Sequence, residues 1–224
     1  MPRAVLPVLL ILALALPPCR AAVAQPRLPD PAWAACRQAI AAEEPRSGLP
    51  PGLLLAVALI ETGRSAPGSG RMEPWPWSYN ADGEGHIAAT KADAVAEVSV
   101  LRAQGIASID IGCMQINLKH HPAAFADLEH GFDAAENVRY AAGFLRDLRA
   151  RAGNWSEAIA LYHSGDPGRG AMYQRRVMLA RLGAGLGRGG VVQLPTGVAS
   201  GLCAAGMAPV LVLRGARPRM MCRR

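Results

Sequence analysis

Leu53-Leu54-Leu55-Ala56-Val57-Ala58-Leu59-Ile60-Glu61-Thr62-Gly63 is an apolar run closed by a single carboxylate and a glycine. Leu53 to Ile60 has no polar position on any face, so as a helix it belongs inside a core. Leu49-Pro50-Pro51-Gly52 provides the entry, because proline is tolerated where the first helical N–H groups are unpaired anyway. Gly63 reads as the residue just past the helix end. Glu61 then emerges at the C-terminal end of a buried helix, where lost hydration and the negative end of the helix dipole both disfavour its charge. A carboxyl group kept protonated near neutral pH is what a general acid requires.

A chain of 224 residues can bury a substantial core, and one domain with extensions is the expectation. Residues 1–24 read as a secretory signal peptide: Arg3, an uncharged apolar stretch from Ala4 to Leu16, and the small residues Ala22-Val23-Ala24 before Gln25. That stretch is shorter than the roughly 20 residues a membrane-spanning helix needs. Pro18 beside Cys19 argues against lipidation there. Export to the periplasm leaves Cys36, Cys113, Cys203 and Cys222 in an oxidising compartment, and four cysteines allow three pairings. Cys36 with Cys113 and Cys203 with Cys222 is the expected set, because the second pair clips a segment with little else to hold it. No cysteine or histidine spacing calls for zinc, and neither metal nor cofactor is expected.

The formal charge of +7 is unevenly distributed. Residues 25–182 carry 16 Lys and Arg against 17 Asp and Glu, whereas residues 183–224 carry six arginines and no acid. The basic character of the exported chain therefore belongs to a Gly- and Pro-rich tail, expected to be partly ordered and to face an anionic wall or membrane surface. Nucleic acid is not needed as a partner. Gly189 to Leu213 is uncharged and long enough to span a bilayer. Pro195, Pro209 and the glycines at 189, 190, 197, 201 and 206 argue against a transmembrane helix there.

Between these ends the pattern is mostly helical. Asp30-Pro31 opens a helix to about Glu43 with Trp33, Cys36 and Ile40 on one face. Arg64 to Gly70 reads as a loop. Trp75, Trp77 and Tyr79 alternate before an Asp82-Gly83 turn and a returning strand at 85–88, and their rings suit either a sugar platform or closure of the core. Thr90 caps a helix to Gln104, and a short strand at 108–111 leads into Gly112-Cys113-Met114-Gln115-Ile116-Asn117, a stretch suited to lining a cleft. His120-His121 lacks further ligands at helical spacing. Pro122 to His130 reads as a short helix, Asp133-Ala134-Ala135-Glu136 and Asn154-Trp155-Ser156-Glu157 as starts of two longer ones, and Ala171 to Leu182 as the last, with Tyr173, Val177 and Ala180 inward.

Ala58-Leu59-Ile60-Glu61-Thr62-Gly63, Gly112-Cys113-Met114-Gln115-Ile116-Asn117 and Ala160-Leu161-Tyr162-His163-Ser164-Gly165, in that order in an exported chain, resemble the catalytic domain of the soluble lytic transglycosylases, over roughly residues 31–182. The resemblance implies a mainly α, lysozyme-like domain with a small β element, shared with goose-type lysozymes, in residues 25–182. It implies Glu61 as the catalytic acid/base and Thr62, Met114, Gln115, Asn117, Tyr162 and His163 as substrate-binding residues, with Met114 and Asn117 shaping the wall that Gln115 and Tyr162 line. Asn137 and Asp110 are expected to be structural. The implied substrate is the glycan strand of peptidoglycan, cleaved between N-acetylmuramic acid and N-acetylglucosamine with a 1,6-anhydro ring as product, and a protein partner docking on the tail is the further expectation. Three departures stand out: Thr62 where serine is frequent, Cys113 where an aliphatic residue is usual, and His163-Ser164 in place of Asn-Ala.

Overall fold

The computed structural model describes residues 30–185, 191–193, 203, 206–214 and 217–223. The expected signal segment, residues 1–24, lies outside the described residues. The described chain is mainly α, with a small β element set into the helices.

The first helix, α1 (Ala32–Ser47), starts where Asp30 accepts the Ala32 N–H and ends at Gly48 in the left-handed region. It runs a turn beyond the expected end at Glu43, with Pro45 in its last turn, and it buries Cys36 and Ile40 but leaves Trp33 half-buried. The second helix, α2 (Leu53–Thr62), is the apolar run. Leu53, Leu54, Ala56, Val57 and Ala58 are fully buried, while Leu55, Leu59 and Ile60 are only partly covered, so the helix is enclosed at its start and opens toward Glu61. Pro50 and Pro51 precede the helix instead of forming its first turn, and Gly52 at φ 78° takes the cap position.

Gly63 does not end α2 in a left-handed conformation: its φ is −64° and it begins β1 (Gly63–Ser65). A Cβ there would strike the Leu59 carbonyl, so close approach of backbone, not positive φ, is what demands glycine. The expected loop after it is in part a ribbon, because β1 pairs antiparallel with β2 (Met72–Pro74). A four-stranded antiparallel sheet follows, in the order β4 (Glu84–Ile87), β3 (Ser78–Ala81), β5 (Ile109–Ile111), β6 (Ile116–Asn117). Its β3–β4 hairpin turns on Asp82 and Gly83, both at positive φ as a two-residue hairpin turn favours.

The helix α3 (Lys91–Ala103) is capped reciprocally by Thr90 and Asp93. The helix expected from Pro122 shortens to α4 (Leu128–Gly131), because the Asp127 carboxylate takes the His130 N–H and sets the start there. Helix α5 (Ala134–Ala152) is capped by Asp133, and α6 (Trp155–His163) by Asn154. Helix α7 (Pro167–Gly185) begins a turn earlier than Ala171: Asp166 accepts the Arg169 N–H and Pro167 takes the first position, the same Asp-Pro device that opens α1.

One core gathers α2 under Cys36 and Ile40 of α1, Val138, Ala141, Ala142 and Leu145 of α5, Ile159 of α6 and Tyr173 and Val177 of α7. A second packs β3 and β5 against α3 and Phe132. In the tail, β7 (Val191–Gln193), β8 (Ala208–Arg214) and β9 (Arg217–Arg223) form an antiparallel sheet. The disulfides are Cys36–Cys113 and Cys203–Cys222, the expected pairing. Among the described residues no helix is long and apolar enough to cross a membrane.

Candidate active site

Glu61 sits in the last turn of α2, at its open end. It is partly exposed, and its Oε1 accepts a 2.5 Å hydrogen bond from the Tyr173 hydroxyl of α7. Burial of the carboxylate pushes its pKa up to about 7. The Tyr173 bond opposes that rise, Asp110 adds to it, and Arg176 pulls the other way. Half-protonated near neutrality, Glu61 can both give and take a proton at working pH.

The facing wall is the turn between β5 and β6. Gly112 at φ 77° accepts the Gln115 N–H, and a Cβ at Gly112 would collide with the Asn137 carboxamide. Asn137 is fully buried on α5 and holds three backbone groups: its Nδ2 donates to the carbonyls of Ile111 and Gly131, and its Oδ1 accepts the Met114 N–H. The expected structural role of Asn137 therefore has a concrete form. The turn is further tied to α1 by Cys36–Cys113, to α2 by the Thr62 hydroxyl on the Cys113 carbonyl (3.0 Å), and to α6 by the Tyr162 hydroxyl on the Met114 carbonyl (2.8 Å).

These bonds reassign several of the expected contact residues. Thr62 is buried, its single hydroxyl proton donated to the Cys113 carbonyl at 3.0 Å, with the Ala58 carbonyl as the alternative acceptor at 3.3 Å. Met114 is fully buried and fills the core. Asn117 donates to Asp110 and Ser108 and accepts the N–H groups of Lys119 and His120, so both ends of its amide are used internally. These three build the wall and do not present polar groups to a ligand. Gln115 is different: at φ 49° its Nε2 donates to the carbonyls of Ser78 and Gly112, while its Oε1 has no partner among the described residues. His163 is exposed and stacks on Tyr173 at 4.6 Å, its pKa lowered first by lost hydration and then by Arg176 and Arg169. Gln115, Tyr162 and His163 are thus the expected residues with surface left to touch a ligand.

The aromatic strip is divided. Trp75 is buried, its Nε1–H donating to the Ala88 carbonyl, and Tyr79 is buried with its hydroxyl on Glu97 and its ring stacked on His86. Closure of the core, not a sugar platform, is the role of these two rings; only Trp77 stays half-buried. No group of three or more metal-binding side chains gathers among the described residues, and His121 is bonded through Nδ1 to the Tyr140 hydroxyl.

One residue of the site is not recognisable as such in sequence, and a second is only half recognisable. Tyr173 reads as one more inward position on the last helix, and nothing local signals that it meets a carboxylate 112 residues earlier. Asp110, in sequence the nearest candidate for a second carboxylate but expected to be structural, does anchor Asn117, and its charge also acts on both Glu61 and His163. Burial raises its own pKa, and the Asn117 bond offsets part of that rise. The strand alternation of Ile109-Asp110-Ile111, which buries Ile109 and Ile111 and turns Asp110 to the other face, was the available hint.

Compared with known proteins, the chain matches no family model, no curated protein and no solved structure.

Proposed function

We propose that the protein is a peptidoglycan lytic transglycosylase with a lysozyme-like catalytic domain, cleaving the β-1,4 bond between N-acetylmuramic acid and N-acetylglucosamine. The observation that carries the reading is Glu61, lifted to about 7 at the open end of a buried helix and oriented by Tyr173. Protonated Glu61 donates its proton to the bridging oxygen as that glycosidic bond breaks. The resulting carboxylate then accepts the proton of the muramic acid C6 hydroxyl, whose oxygen closes the 1,6-anhydro ring on the anomeric carbon. One carboxylate returns to its starting state and no water is consumed. Gln115, whose Oε1 has no partner among the described residues, accepts from a sugar amide or hydroxyl in this reading.

The two disulfides support action outside the cytoplasm, in the periplasm, where glycan strands are the substrate. Local opening of the wall for a secretion system or flagellum, with a protein partner on the basic tail, completes the proposal. Truncation after Gly185 tests that last part: unchanged localisation and partner binding would remove it.

Asp110 favours a second reading, a hydrolytic muramidase, because a second carboxylate acting on Glu61 could activate water. Mass spectrometry of purified peptidoglycan digested with the oxidised protein separates the two. Anhydro-muropeptides from the wild type and none from Glu61→Gln is the expected result. Reducing-end products would transfer the assignment to hydrolysis, and products from Glu61→Gln would overturn Glu61 as the acid. No product from either protein would move weight to a binding or assembly role.

A further inference from the structure

Helices α6 and α7 meet at a close corner, and the corner sets a ring against the acid site. Gly170, buried in the first turn of α7, has its N–H on the Asp166 carbonyl at 2.9 Å. A Cβ there would lie 3.1 Å from the Ala160 Cβ and 3.2 Å from the carbonyl oxygens of Ala160 and Ser164, so the two helices approach about as near as a glycine allows. Tyr173 lies one turn further along the same face, and across this gap its ring meets His163, the last residue of α6. The two rings are 4.6 Å apart and within 7° of parallel. Tyr173 is buried whereas His163 is exposed, so the imidazole stands on the solvent side of the phenol. The His163 side chain makes no hydrogen bond or ion pair among the described residues, and this stack is its one ring contact there. Tyr162 is also near-parallel to Tyr173 but stands off at 6.5 Å, and its hydroxyl is held by the Met114 carbonyl.

We propose that His163 is a positioning residue for Glu61: its ring, lying flat on Tyr173, holds the Tyr173 hydroxyl on the carboxylate. The inference rests on the glycan-cleaving reading of Glu61 and goes beyond the substrate contact expected of His163. The hydroxyl lies on the axis of the phenol ring, so a ring flip leaves it in place. A swing of the ring out of its own plane carries it away, and His163 blocks the swing toward solvent. The 2.5 Å bond has little tolerance for such a swing, because a hydrogen bond weakens steeply as it bends. The surroundings of the imidazole favour its neutral form. Lost hydration is the first cause that lowers the His163 pKa below its usual 6.5, Arg176 and Arg169 of α7 add to it, and Asp110 of β5 opposes them. At about pH 7, where Glu61 titrates, His163 is therefore mostly an uncharged flat ring, a part that phenylalanine can also play.

Two readouts test this, one of them without turnover. The Glu61 carboxyl carbon is titrated by NMR in oxidised protein carrying isotope-labelled glutamate, its signal identified by its absence in Glu61→Gln. In parallel, kcat and KM are measured on purified peptidoglycan across pH. Because the Tyr173 bond lowers the Glu61 pKa, His163→Ala should move the Glu61 titration to higher pH, in the same direction as Tyr173→Phe, and cut kcat about threefold. His163→Phe should bring the titration back to the wild-type position and recover most of that kcat, whatever it loses in KM by giving up the imidazole edge. In a Tyr173→Phe background His163→Ala should add no further shift, since the group it acts through is gone. His163 is exposed, so its replacement leaves the fold intact. A Glu61 titration that His163→Ala leaves unmoved or moves to lower pH, that His163→Phe does not restore, or that His163→Ala still displaces in the Tyr173→Phe background would overturn the assignment. The glycan reading fails separately: a titration that follows His163 as stated, in a protein that yields no cleavage products, defeats that reading alone, and cleavage with a titration indifferent to His163 defeats this one.

Discussion

In the proposed reaction, Glu61 ties catalysis and stability to the same proton. Unfolded, it titrates near 4.5; folded, at about 7. Between those values the native state holds a proton that the unfolded chain releases, so this group's contribution to stability falls as pH rises through the window and levels off above it. Glu61→Gln removes the dependence while keeping an oxygen for the Tyr173 hydroxyl. The variant should match the wild type in stability below pH 4.5 and exceed it by about 3 kcal/mol at pH 8, measured by denaturant unfolding at both pH values. Wild-type activity should decline on the alkaline side of about 7, as the acid form is lost. Tyr173 is a positioning residue here, and because its bond lowers the pKa of Glu61, Tyr173→Phe should move that alkaline limb to higher pH while cutting turnover about tenfold. A pH–rate profile checks both effects; a loss of turnover with an unmoved limb would mean that the hydroxyl acts some other way.

At the level of elements, most of what local chemistry dictates was legible. Thr90 with Asp93, Asp133, Asn154 and the Asp82-Gly83 turn each stand where side chain and backbone requirements coincide within four residues. Gly63 was legible as a required glycine but not for its reason, because the Leu59 carbonyl that excludes a Cβ is met only once the chain turns into β1. Thr62, Met114 and Asn117 illustrate the same limit: sequence marks them as belonging to the cleft region, and only the packed turn shows that their polar groups or side chains face inward. Tyr173 was illegible as a site residue because the contact joins α2 to α7. Asn137 is where the turn's cost of error concentrates. Replacing it with alanine strands two buried carbonyls and one N–H, so Asn137→Ala should cost about 3–5 kcal/mol in urea unfolding. A cost under about 1 kcal/mol would show that water takes over those bonds.

Across the molecule, the long link is Cys36–Cys113, which closes a loop with a sequence separation of 77. Constraining a loop of that length in the unfolded chain stabilises the fold by about 4 kcal/mol on the chain-entropy account. Replacing both cysteines with alanine should lower stability by that order and depress activity further, since Cys113 belongs to the wall that carries Gln115; differential scanning calorimetry beside a glycan-cleavage assay reads the two losses. The start of α2 works in a related way. No residue of its own caps that helix; instead the carboxylate of Glu44, on α1, accepts the N–H groups of Gly52 and Leu54 at 2.9 and 3.1 Å. Two of the N–H groups at the start of the apolar segment that carries Glu61 are therefore satisfied only when a second helix is already beside it. Such a segment has no autonomous life as a helix in water: docking and winding become one event, and the acid site comes into being all at once or not at all.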